Sequence, residues 1–280
     1  MADSEHTEWT AYHYYPSKAA GILFVVVFLI LSVIHTCRLL RTRTWFFIPL
    51  VTGTWFESVG YIGRVLSVNE SPNWTSGSYV MQSTLLLVAP ALYAASIYMI
   101  LGRIIHLVKA AKLAIIWVTG MTKILVAGNL LSFLMQASGA GTMVSNSKST
   151  GENIILGGLF IQIVFFGAFL ISALVIQRRL ARRPTSASAE HNIPWQKHML
   201  ALHFSSLLIL IRSGFQVAEY IQGSDGFLLQ NEVFMYVYDG LLILFVTVVF
   251  LAIHPSFIQV NLIVSYAESG FCLIKGIGSL

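Results

Sequence analysis

Seven stretches of about twenty predominantly apolar residues follow one another along this 280-residue chain, with only short links between them. That spacing decides most of what the chain can fold into. A helix needs roughly 20 apolar residues to cross a hydrocarbon core of about 30 Å. Backbone groups in lipid must find partners within their own segment, so helix is the form such runs take. The stretches run approximately Ala19–Leu40, Trp45–Val65, Val80–Leu101, Ile124–Met143, Ile154–Ile176, Met199–Ile221 and Val233–Ile253. The expected fold is all-α: a polytopic, seven-transmembrane-helix bundle over residues 19–255. A tail over 1–18 precedes it and a cytosolic or membrane-associated tail over 256–280 follows it. Charged residues make up 10% of the chain, against about 25% in soluble domains. This excludes a water-soluble enzyme, a disordered chain and a nucleic-acid binder. The two cysteines, Cys37 and Cys272, provide neither a disulfide framework nor a cysteine metal site.

Basic residues set the orientation. Arg38, Arg41 and Arg43 follow the first stretch, and Arg103, Lys109, Lys112 and Lys123 follow the third. Arg178, Arg179, Arg182, Arg183 and Lys197 follow the fifth. The opposite links hold only Lys148 once Arg64 is counted as embedded, and the N-terminal tail carries Asp3, Glu5 and Glu8. The N-terminus is therefore expected outside and the C-terminus inside. The tail lacks the basic-then-apolar pattern of a cleaved signal. Two glycosylation acceptors, Asn73-Trp74-Thr75 and Asn69-Glu70-Ser71, fall in an outer link. Both cysteines fall on the reducing, cytosolic side.

Ionisable residues within spans are costly and mark functional sites by default. Glu57 and Arg64 occupy the second stretch, Arg212 and Glu219 the sixth, and Asp239 the seventh. A separation of seven residues returns to within about 20° on a helix, so each pair shares a face. The second and sixth stretches run in the same direction. Glu57 stands about 18 Å and Arg64 about 28 Å above Trp45, while Arg212 stands about 20 Å and Glu219 about 30 Å above Met199. Opposite charges thus meet at matching heights, Glu57 with Arg212 and Arg64 with Glu219, and Asp239 falls between. One reading is a set of ion pairs that lock the bundle. The other is a polar cavity open to the outer leaflet. Three acids against two bases leave one negative charge over, which suits a cationic amine or choline-like group. Tyr61, Tyr220, Tyr236 and Tyr238 lie close by in sequence and would add cation–π contacts or form an interfacial belt.

Other polar and small residues fit helix packing: Asn129, Gln136, Gly139 and Gly141 in the fourth stretch, and Gly157, Gly158 and Gln162 in the fifth. Pro90 is expected to kink the third. His35, His106, His198, His203 and His254 fall near inner helix ends. No His-x-x-x-His pair occurs, so no metal or other cofactor is expected, and an intramembrane hydrolase using His35, His203 or His254 is a third-ranked reading.

The residues resemble the fungal lipid-translocating exporter family, the resistance-to-aminocholesterol type of seven-helix membrane protein. The resemblance runs from Tyr15-Pro16-Ser17 to His254-Pro255. Its strongest piece is Glu57-Ser58-Val59-Gly60-Tyr61-Ile62-Gly63-Arg64. Further pieces are Ala89-Pro90, Ala94-Ala95, Tyr98, Gly102-Arg103, Gln136 through Gly141, Arg212 through Glu219-Tyr220, and Glu232 with Tyr236 and Asp239. The chain departs from the family pattern at Gln216, where a second Arg is usual, and at Asn129, where an Asp is usual. It departs again in the apolar segment Ser256–Leu280.

The resemblance implies export or flop of lipid-like amphiphiles, such as sphingoid bases, or resistance to toxic sterols, at the plasma membrane or an internal membrane. Membrane lipids and amphiphiles are then the partners, with no nucleic acid. The substrate-binding residues expected are Glu57, Tyr61, Arg64, Arg212, Glu219 and Asp239. No phosphate-binding Gly-x-x-x-x-Gly-Lys loop occurs, so the chain does not hydrolyse ATP itself. A seven-helix lipid-sensing receptor is the alternative, although Gly102-Arg103-Ile104 and His254-Pro255 are not the usual receptor motifs.

Overall fold

The computed structural model describes residues 17–70, 76–110, 118–145, 148–189, 195–223 and 226–258, and among them every regular element is a helix. The long helices are α1 (Lys18–Thr42), α2 (Ile48–Asn69), α3 (Ser76–Leu107), α4 (Val118–Ser145), α5 (Lys148–Arg182), α6 (Trp195–Gln222) and α7 (Glu232–Ala252). Single helical turns at Trp45–Phe47, Ser186–Ala189 and Phe227–Gln230 lie in the links. Of the tails expected outside the bundle, residues 1–16 and 259–280 lie outside the described residues, as do Asn73 and Cys272. Asn69 is the exposed last residue of α2, and Cys37 is a free, exposed thiol.

Six of these helices are long and apolar enough to cross a membrane: α1, α3, α4, α5, α6 and α7. The chain is an integral membrane protein. The expected second span, α2, is helical but is not among the six. Its glycines, serines and threonines, with Glu57 and Arg64, bring down its mean hydropathy. Other helices run further than their apolar runs indicated. α3 continues to Leu107 and α5 to Arg182, because helix propensity carries past the point where lipid burial ends.

Helices close in sequence pack together, α1 on α2, α2 on α3, α3 on α4, α4 on α5, α5 on α6 and α6 on α7, and α7 returns to α1. α3 is the central helix and also touches α5 and α6. The outer surface is apolar. Leu23, Val26 and Ile30 of α1, Leu130 and Leu134 of α4, and Val164 and Ile171 of α5 are all exposed. Polar side chains instead lie inside, including Thr54, Glu57, Ser58, Arg64, Gln136, Gln162, Ser205, Arg212 and Gln216. The same interior also holds a hydrophobic core that includes Phe28, Leu50, Ile97, Phe166 and Phe250, so what suits the bundle to lipid is its apolar outer surface, which costs nothing there.

The α4–α5 contact shows how the small residues are used. A Cβ on Gly139 would stand 2.8 Å from the Gly151 carbonyl oxygen, and one on Gly158 would stand 2.9 Å from that of Ser132. The backbones approach too closely for any side chain at either position. Ser132 Oγ donates to the Gly158 carbonyl at 2.7 Å, and Gln136 Nε2 donates to Gln162 Oε1 at 2.8 Å. Asn129 Nδ2 donates across to the Ala91 carbonyl of α3 at 2.5 Å. Gly141, by contrast, meets nothing within 4 Å.

The residues expected to be cytosolic gather at one end. Arg38 donates to the Leu251 carbonyl, the Arg103 guanidinium lies 3.9 Å from the Phe46 ring centroid, and Thr185 Oγ1 donates to the Val108 carbonyl at 2.6 Å. At the opposite end Ser17, Arg64 and Glu232 meet.

Candidate functional site

α2 brings Glu57, Tyr61 and Arg64 into the bundle on one face, at i, i+4 and i+7, and all three are fully buried. The reverse of the helix exposes Trp55, Val59, Ile62 and Leu66. α6 repeats the device: Arg212, Ser213 and Gln216 are buried while Leu200, Phe204, Leu207 and Ile211 are exposed. α7 contributes through an irregularity. Residues Met235–Leu241 form a π-helix between a first α turn and the α-helix Leu242–Ala252. The wider turn carries Tyr236, Asp239 and Gly240 inward; such π segments recur at functional sites.

The charges form two layers. In the deeper one, Arg212 Nε lies 3.3 Å from Asp239 Oδ1, and Arg212 Nη2 donates to the Leu86 carbonyl of α3 at 2.7 Å. That carbonyl is free because of Pro90: proline has no N–H, so the residue four positions earlier loses its helical donor. Pro90 thus supplies the Arg212 anchor, while α3 itself continues without interruption. Glu57 is fully buried, and neither of its carboxyl oxygens has a hydrogen-bond partner; Tyr61 Oη is likewise without one. Arg212 and Asp239 are the charges that act on Glu57. Tyr93 of α3 feels Glu57 as well, while its hydroxyl bonds Thr247 Oγ1 at 2.9 Å. Glu219 is half-buried and feels both Asp239 and Arg212.

In the outer layer Arg64 is the hub. Its Nη2 donates to Glu232 Oε1 at 2.6 Å, its Nε donates to Tyr236 Oη at 2.9 Å, and its Nη1 contacts Met235 Sδ at 3.1 Å. The backbone N–H of Ser17, just ahead of α1, donates to both Glu232 oxygens at 2.8 Å. One carboxylate therefore fastens the start of α1 to α2 and α7. Four nearly parallel rings adjoin this layer: Phe24 lies 5.0 Å from Tyr61 and 5.1 Å from Tyr236, and Phe28 lies 5.7 Å from Tyr61. Gly240 makes room for them, since a Cβ there would stand 2.5 Å from both Phe24 Cε1 and Tyr61 Oη.

The pairing differs from the sequence expectation. Glu232, not Glu219, holds Arg64, and Asp239, not Glu57, contacts Arg212. The physical reason is that the π segment of α7 brings Asp239 to Arg212, while α2 packs on α1 and α3. Heights along ideal straight helices contain no such third element. Of the four tyrosines, Tyr236 stands by Arg64, its ring centroid 5.1 Å from the guanidinium carbon, and Tyr61 lies in the ring stack. Tyr238 instead stacks on Phe215 at 4.1 Å. Glu232, Phe24 and the Leu86 carbonyl were missed as parts of the site. Glu232 sits at a helix start, which reads as surface; Phe24 reads as lipid-facing; a backbone carbonyl has no signal except the Pro90 that frees it.

Three of the inner histidines, His35, His198 and His254, also come near one another. His35 is fully buried with Nε2 3.2 Å from the Thr247 carbonyl, and His254 lies edge-on to Phe47 at 5.3 Å. Beyond the end of α7, burial pushes the His254 imidazole down to about 4, and His35, Arg38 and His198 push in the same direction. Among the described residues no three His, Cys, Asp or Glu side chains form a set that could hold a metal ion.

The chain is 38% identical over 275 residues to protoporphyrin uptake protein 1 of Saccharomyces cerevisiae, covering 85% of this chain and 90% of that protein. It is 29% identical to the probable lipid transporter atnI of Emericella nidulans, with coverage of 89% and 68%. It is 24% identical to the sphingoid long-chain base transporter RSB1 of S. cerevisiae, with coverage of 86% and 72%. No solved structure matches it. The family model described as RTA1 like protein matches residues 50–261, a stretch that holds Glu57, Arg64, Arg212 and Asp239, and the chain belongs to that family.

Proposed function

We propose that this protein is an exporter or floppase-like facilitator of amphiphilic lipids, not an enzyme. In this reading it crosses the membrane seven times, with the N-terminus outside. α2 is the seventh span: it is about 33 Å long at 1.5 Å per residue, and its exposed face is apolar while its polar face is buried. Its charges are tolerated because the bundle, rather than lipid, surrounds them. The basic end of the bundle faces the cytosol under the positive-inside rule.

The observation that carries the proposal is the deep layer. Arg212 pairs there with Asp239 at 3.3 Å, its charge also reaches Glu57 and Glu219, and Glu57 has no hydrogen-bonding partner of its own. A purely structural network would pair its members, because a half-satisfied buried network destabilises the fold. An acid-rich layer beside stacked aromatic rings suits a cationic head group, with the acyl tail left in the bilayer. Tails leave between helices and require no enclosed channel. The names of the lipid and sphingoid-base transporters among its relatives point the same way. The plasma membrane is the site of action this implies, and resistance to toxic amphiphiles would follow.

The test is reconstitution of the purified chain in liposomes with a fluorescent sphingoid base, where chemical quenching from outside reports leaflet exchange. Asp239→Asn and Glu219→Gln should slow exchange about tenfold or more, equivalent to ~1.4 kcal/mol of barrier. Unchanged exchange in both variants, with intact folding, would return these residues to a structural role.

A further inference from the structure

The two charge layers are closed to different degrees. Arg64 is held by Glu232, Tyr236 and Met235. In the deeper layer one guanidinium, that of Arg212, lies within electrostatic reach of three acids, its Nε forms an ion pair with Asp239 at 3.3 Å and its Nη2 donates to the Leu86 carbonyl. Glu57 is left over: fully buried, with both oxygens unpartnered. Arg212 and Asp239 act on it directly, and the other titratable and charged groups of the layer lie around it. Tyr61 lies one turn away on α2, with Arg64 beyond it. Tyr93 faces it from α3, Arg212 and beyond it Glu219 from α6, and Asp239 from α7. α1 carries no charged residue between Lys18 and His35. A bare carboxylate in such a place costs several kcal/mol. It is stable only when a proton or a cation neutralises it.

We propose that Glu57 is a proton-exchange site at which a proton and the cationic head of the cargo compete, making export an exchange of one proton for one amphiphile cation. The proposal rests on the transport reading above and adds its energy source. Cargo entering from the cytosolic side displaces the proton from the Glu57 carboxyl to the water on that side. Release of the cargo outside leaves the carboxylate to take a proton from the outer phase. No bond other than O–H is made or broken, and one positive charge moves each way. Arg212 Nη1, which makes no hydrogen bond, is the group on which an ionised Glu57 can rest while the two cations change places.

The test uses the full chain in proteoliposomes with a pH-sensitive dye in the lumen. The probe is a fluorescent long-chain quaternary ammonium, which cannot cross as a neutral base. Added outside, it should raise the lumenal pH as it moves inward, by about one proton per molecule moved, whereas a long-chain alcohol of equal length should not. Glu57→Gln should abolish this proton counterflow and make exchange indifferent to an imposed pH gradient, and Glu57→Asp should restore both in part. Infrared difference spectra report the site without transport: a protonated-carboxyl band should be present in wild type, be lost on adding the quaternary ammonium, and be absent from Glu57→Gln. Counterflow that persists in Glu57→Gln, or a carboxyl band that is absent or insensitive to the probe, overturns the proposal. If wild type moves no probe at all, the transport reading fails, and the infrared band still decides whether Glu57 exchanges its proton for a cation.

Discussion

Gly240 is the residue on which the site depends most narrowly. Its missing Cβ leaves the space taken by the Phe24 ring and the Tyr61 hydroxyl, each 2.5 Å from where that atom would be. Gly240→Ala should therefore spread the ring stack and cost about 1–3 kcal/mol, the usual penalty for overpacking. A lowered melting temperature in detergent is the check, with Gly214→Ala, where nothing lies within 4 Å, as the tolerant control. Pro90 acts equally locally: its absent N–H frees the carbonyl that Arg212 uses. At the basic end, folding holds His254 neutral by burial. The unfolded chain binds a proton there near pH 6.5 and the folded chain only near about 4, so stability should fall as pH drops through that window. His254→Gln should remove that share of the acid sensitivity, which thermal melts between pH 7 and 4 would measure.

Two devices hold the helices to one another. Between α4 and α5 the helices close up at Gly139 and Gly158, and the atoms facing them include backbone that cannot turn aside, the Gly151 carbonyl oxygen and Ile155 nitrogen at Gly139 and the Ser132 carbonyl oxygen at Gly158. Gly139→Ala should force the helices apart and destabilise by about 1–3 kcal/mol. Gly141→Ala, only two residues on and facing open space, should stabilise by up to about 1 kcal/mol through helix propensity. The pair together separates packing from propensity. At the far end, Glu232 joins Ser17, Arg64 and, through Arg64, Tyr236. Glu232→Gln leaves a buried guanidinium without its counter-charge and should cost a few kcal/mol. Hydrogen exchange should then show the first turn of α1 opening before the rest of that helix. This latch was hidden in the sequence, because a glutamate at a helix start looks like a solvated one.

Across the whole molecule, an apolar exterior encloses a hydrophobic core with charged and polar side chains set into it. If the basic end faces the cytosol, an N-terminal epitope tag is accessible to antibody on intact cells. Endoglycosidase should then produce a mobility shift that Asn69→Gln with Asn73→Gln abolishes; a tag seen only after permeabilisation would reverse the orientation. Most helices were readable because each apolar run must exceed the bilayer thickness, a constraint carried by composition alone. The shared faces of Glu57 with Arg64 and of Arg212 with Glu219 were readable for a similar reason, since a period of 3.6 residues follows from backbone geometry. α2 shows the limit: its polar face lowers its hydropathy, and only its burial on α1 and α3 explains how those charges are housed.

The sequence by itself determined that this is a helical membrane protein with acids and bases inside its spans, because lipid admits few alternatives to helix and penalises every buried charge. Tertiary structure decided which acid meets which base. A π turn in α7 brings Asp239 to Arg212, a proline in α3 frees the carbonyl that anchors that arginine, and Glu232 takes Arg64. Glu57 is thereby left buried with no hydrogen-bond partner. Partnership depends on positions across helices to within an ångström or two, which periodicity along a single helix does not contain.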